Sequence, residues 1–60
     1  MSTELIVFYR EQLKESEKHW EYSGKLMLSK EKYTRFYNEL KKLSPVDAHS
    51  VMSPEHYGKN

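Results

Sequence analysis

The side chains able to do chemistry are plentiful, but their spacing does not assemble a reaction. Glu15 and His19 stand four residues apart and share a helix face; His49 and His56 lie far along the chain. A carboxylate-bridged metal pair needs Glu-x-x-His on facing helices, and the residue three before His19 is Ser16. HExxH and paired-cysteine patterns are missing, and with no cysteine at all neither a disulfide nor a thiolate zinc site can form. The three histidines therefore read as surface residues, with no metal and no cofactor expected. No serine, histidine and carboxylate are spaced to set a nucleophile against a base. Two isolated glycines, Gly24 and Gly58, cannot make a phosphate-cradling loop. Two helices also make poor walls for a water-excluding cleft, so no catalytic residue is assigned and no enzyme is expected.

A second chemistry is suggested in the middle of the chain. Lys30, Lys32, Arg35, Lys41 and Lys42 form a basic rim, with Tyr33, Phe36 and Tyr37 interleaved. Cations with aromatics can mean phosphate contacts plus base stacking. The same layout is also that of an amphipathic helix whose lysine stems edge a core, and Glu31 and Glu39 interrupt the basic surface. The overall charge is only +1, from ten Lys and Arg against nine Asp and Glu. A dedicated nucleic-acid binder usually carries a basic excess. Nucleic-acid association through this rim is thus the alternative function, not the first.

The elements that must hold these groups are helical. From Leu28 to Leu43 the apolar residues Tyr33, Phe36, Tyr37, Leu40 and Leu43 step by three, one, three and three, one side of a helix. Ser29 can cap it, Leu28 can pack on Tyr33 as a hydrophobic staple, and Ser44-Pro45 stops it. Before it, from Glu4 to Ser23, there is no Pro or Gly. Leu5, Ile6, Tyr9, Leu13 and Trp20 share a face about 100° wide, with Phe8 at its edge. Ser16 sits mid-stripe, where a small residue admits a neighbouring helix. Ser2 or Thr3 can cap this helix, and Lys14–Glu17 and Lys18–Glu21 are spaced to pair on its solvated side. The residue types of Leu5–Tyr9 also suit a strand, but nothing else in the chain would pair with one.

The expected fold is all-α: an antiparallel helical hairpin with a short, partly ordered C-terminal tail, dimerising into a four-helix bundle. The single domain spans 1–60, with helix 1 about 4–23, a turn at 24–28, helix 2 about 30–43 and a tail at 44–60. In the tail, Ser44-Pro45-Val46-Asp47 and Ser53-Pro54-Glu55 are helix-start signals. Val46, Val51, Met52 and Tyr57 can lie back across the hairpin, while residues 57–60 are expected to fray.

A chain of sixty residues buries only about 60% of its unfolded surface, and small domains usually need a supplement. Without disulfide or metal, that supplement is expected to be self-association, most simply a homodimer, or binding to something larger; a stable single chain would instead mean that the tail closes the core. Leu5, Phe8, Tyr9, Leu13, Trp20, Tyr33, Phe36, Tyr37 and Leu40 are the core and interface candidates. Their aromatics exceed what one helix pair can enclose, and Trp and Tyr concentrate binding energy. The longest apolar run, Leu5–Tyr9, is far short of the ~20 residues that span a bilayer. It lies too close to Met1, behind Glu4, to read as a secretory signal. The sequence thus points to a cytoplasmic, non-enzymatic regulator or inhibitor that occludes a larger protein.

Overall fold

A computed structural model describes residues 2–59. Three helices occur among them: α1 Ser2–Ser23, α2 Lys30–Leu43 and α3 Pro45–His49. No strand forms among the described residues; Leu5–Tyr9 is helical and the all-α expectation is met. Helix α1 starts two residues before the expected Glu4, which puts Thr3 inside the first turn instead of capping it. At its other end Gly24 takes φ 76° and donates its N–H to the Trp20 carbonyl at 2.7 Å. This is the left-handed stop that glycine adopts without a Cβ penalty.

Helix α2 begins at the expected cap: Ser29 Oγ accepts the Lys32 N–H at 3.2 Å. The staple pair Leu28 and Tyr33 are both buried in the core. The chain returns along α1, since Glu17 meets Tyr33 while Phe8 and Tyr9 meet Phe36; α1 and α2 therefore run in opposite senses.

Ser44 is a pivot. It ends α2 by donating its N–H to the Leu40 carbonyl at 2.7 Å, and it starts α3 with Pro45 in the first position. Its hydroxyl accepts the Asp47 N–H at 3.4 Å and donates to the Asp47 carboxylate at 2.7 Å, which caps the first turn of α3. Asp47 also accepts from Arg10 at 3.0 Å, tying α3 to α1. The Ser44 hydroxyl, and after it Arg10, hold the Asp47 carboxyl below the usual carboxylate range. A depressed folded-state pKa contributes stability above the unfolded value and loses it as pH falls through the folded one. The melting temperature is therefore expected to drop on acidification below about pH 4. Asp47→Asn should flatten that part of the thermal-melt-against-pH curve; an unchanged slope would remove Asp47 from the acid response.

The core holds Leu13, Leu28, Tyr33, Leu40, Ala48, Val51 and Tyr57, with Ile6, Tyr9, Phe36, Tyr37 and Met52 packed around it. Two tail expectations resolve differently. Tyr57, which could lie back across the hairpin or fray with the last residues, does the first and is fully buried. A single helical turn started at Ser53 (Tyr57 N–H to the Ser53 carbonyl, 3.1 Å) swings its ring inward. Gly58 follows at φ 85°, where a Cβ would stand 3.3 Å from Leu26 Cδ2, so the turn closes against the hairpin loop only with glycine there. Val46, expected to fold back, is 80% exposed. The short α3 turns Ala48 and Val51, three residues apart, toward the core and leaves Val46 outside. Residues 57 to 59 are thus placed; Asn60, also expected to fray, lies outside the described residues.

Candidate interaction surface

Two neighbouring polar residues on α1 fasten the tail and the hairpin loop. Ser16 is fully buried. Its Oγ accepts the Leu28 N–H at 3.2 Å and contacts the Tyr57 hydroxyl, which reaches the Leu28 carbonyl at 3.1 Å. Each hydroxyl has one proton, so the bonds close into a ring: Leu28 N–H to Ser16, Ser16 O–H to Tyr57, Tyr57 O–H to the Leu28 carbonyl. One residue on, Glu17 accepts the Met52 N–H. The Tyr33 hydroxyl donates to the Met52 carbonyl at 2.7 Å, with Glu17 Oε1 also in reach at 3.2 Å. Burial first, then the Glu17 charge, pushes the Tyr33 phenol well above the ordinary tyrosine range, so it stays a donor.

Each clasp grips the N–H and the C=O of one residue in a non-helical segment, groups that would otherwise be buried without partners. The rings of Tyr33 and Tyr57 stack between them, centroids 3.9 Å apart and planes 10° from parallel, with Trp20 edge-on to Tyr57 at 6.1 Å. Glu17 therefore turns inward instead of pairing with Lys14. Ser16 is covered by the chain's own tail and offers no close approach to a second hairpin. Ser16→Ala should orphan the Leu28 amide and cost about 1–3 kcal/mol. A urea midpoint equal to that of the parent would show that the ring of hydrogen bonds contributes nothing net.

The core and interface candidates divide. Leu13, Tyr33 and Leu40 are fully buried; Tyr9, Trp20, Phe36 and Tyr37 are partly buried. Leu5 and Phe8 are not core residues: they stay 48% and 49% exposed. α3 and the tail meet α1 at Arg10, Ser16, Glu17 and Trp20, whereas Phe8 meets α2 at Phe36. There Phe8 is 5.4 Å from Tyr9 and 6.1 Å from Phe36, and Tyr9 is 5.3 Å from Phe36, all tilted or edge-to-face. The Lys32 ammonium stands 5.9 Å from the Phe36 centroid. Phe8 and Phe36 thus make a partly wet aromatic strip along the α1–α2 seam, with Leu5 three residues before Phe8 on the same side of α1.

The other candidates are less organised. All five residues of the basic rim are exposed, but Lys30 and Lys41 fall on one flank of α2 and Lys32, Arg35 and Lys42 on the other. Lys42 is drawn to Glu39 at 3.8 Å. Tyr33, whose ring was to serve base stacking, is spent on Tyr57. What remains is a set of separate exposed cations. His19 lines an open groove with Glu15, Lys18, Tyr22 and Met27. Among the described residues no three His, Asp or Glu converge as metal ligands. No described helix is long and apolar enough to cross a membrane.

The strip was half legible: its residues stand among the core and interface candidates, with no division between the two. The clasps were missed. Ser16 in an apolar stripe was the one available signal, since a buried hydroxyl needs partners. Comparison with protein families, with characterised proteins and with solved structures finds no match to this chain.

Proposed function

We propose that this chain is a non-enzymatic helical interaction module, a regulator or inhibitor that lays its α1–α2 seam on a larger protein in the cytoplasm and covers a site there. One observation carries this reading. The tail completes the core, yet Leu5 and Phe8 remain about half exposed on the same side of α1, where Phe8 meets Phe36. Apolar side chains grouped on one face mark interaction surfaces, whereas singly scattered ones do not. Aromatic anchors ringed by charge are the usual source of binding energy. Because folding does not depend on the exposed halves of these side chains, the strip can be altered without loss of the fold.

The double variant Leu5→Ser/Phe8→Ser should keep the parent's helical circular dichroism. Used as bait in the source organism's lysate, the parent should retain a protein that the variant does not. A parent that retains nothing, or a variant that retains the same protein, would overturn this reading.

A further inference from the structure

We propose that the strip is self-complementary: a second copy of this chain covers it, about a two-fold axis running parallel to α1 and α2. The proposal rests on the strip being the working surface and names its resting occupant, which a larger protein must displace.

The charges along the two edges of the strip carry the inference. On α1 the helical neighbours of Phe8 at i−4, i+3 and i+7 are Glu4, Glu11 and Glu15, all exposed. On α2 the neighbour of Phe36 at i−4 is Lys32, with Arg35 three residues further on, both exposed. Glu39, the acid on that edge, is already drawn to Lys42. The strip therefore has an acidic edge on α1 and a basic edge on α2.

A covering surface must carry apolar groups between a basic and an acidic edge, in the opposite order. A two-fold axis parallel to the helices gives this face that surface, because it lays α1 of one copy over α2 of the other. Such an axis also preserves height along the helices. Phe8 and Tyr9 are level with Phe36, so Glu11, one turn on, is level with Lys32. Glu11 then meets Lys32 and Arg35 of the second copy, and the contact is made twice. A two-fold axis perpendicular to the helices would set the acidic edges on each other. The apolar part of the strip is small, so pairing is reversible and concentration-dependent.

Sedimentation equilibrium of the full chain over about a hundredfold concentration range, at low and at high salt, tests this. The mean mass should rise above the 7.2 kDa of one chain with concentration and fall back with salt. Glu11→Lys alone, and Lys32→Glu/Arg35→Glu alone, should each stay at the mass of one chain while melting as the parent does. Mixing these two variants should restore association. The triple exchange Glu11→Lys/Lys32→Glu/Arg35→Glu should pair with itself. A parent at 7.2 kDa throughout, or association indifferent to Glu11→Lys, or exchanges that fail to restore it, would overturn the pairing. A parent that stays a single chain yet retains a Phe8-dependent protein from lysate would overturn the pairing alone and leave the module reading standing. A parent that pairs as described but retains nothing from lysate would do the reverse.

Discussion

Tyr57→Ala is expected to destabilise the chain by about 3–5 kcal/mol, a large share of its stability. Tyr57 is one of the largest fully buried side chains, and it joins all the parts that do not touch through helices. Its ring covers Tyr33 of α2 and meets Trp20 of α1, while its hydroxyl holds the Leu28 carbonyl and contacts Ser16. Removing a buried aromatic ring costs about 3–5 kcal/mol. At the usual stability per residue, a sixty-residue domain has only about 3–9 kcal/mol in total. Tyr57→Phe keeps the stack and loses only the hydroxyl, so it should cost about 1–2 kcal/mol and remain folded. Urea melts of the pair separate ring from hydroxyl. If Tyr57→Ala melts like the parent, the tail does not close the core and the hairpin is sheltered by something else.

The second large effect is a contrast between two residues of α2. Leu40→Ala should cost about 2–5 kcal/mol, because Leu40 is fully buried at the centre of the core. Phe36 reads from the sequence as its equal, but in the structure it is only partly buried and its ring faces Phe8 across the seam. Phe36→Ala should therefore cost less stability than Leu40→Ala and remove more binding. Thermal melts order the two by stability, and pairing or partner capture orders them the other way. The same order in both assays would mean that Phe36 belongs to the core alone.

The helices were legible because their signals are local. The stripe of α2 repeats at helical spacing between two marked ends, Ser29 and Ser44-Pro45, and neither depends on the rest of the chain. The all-α class followed from this. The tail was not legible, because its fate depends on a slot that exists only after α1 and α2 pack. Val46, Val51 and Tyr57 are equally apolar candidates in the sequence; the α3 turn and the Ser53 turn decide that the last two go in. Glu17 read as a solvated partner of Lys14, since nothing near it in sequence announces Met52, thirty-five residues away. Leu5 and Phe8 could not be told apart from the core for a related reason. Periodicity shows which side of a helix is apolar, but not how far along that side the neighbours reach.

The case for self-association changes with the tail in place. The expectation of a four-helix bundle rested on a hairpin too thin to close its own core. Here α3 and the Tyr57 turn supply the missing layer. The core then does not call for a second copy, and the proposed pairing moves from Ser16 to the α1–α2 seam, where edge charges and a short strip would hold it.

Native-state hydrogen exchange at a dilution where one chain stands alone tests the central claim most directly. The amides of Leu28 and Met52 lie outside every helix, and their acceptors are the α1 side chains Ser16 and Glu17. If the chain closes its own core, both amides exchange slowly, with protection close to that of the Leu40 amide in α2. Exchange of Leu28 and Met52 at the rate of open chain, with α2 still protected, would contradict the account and leave a bare hairpin in its place.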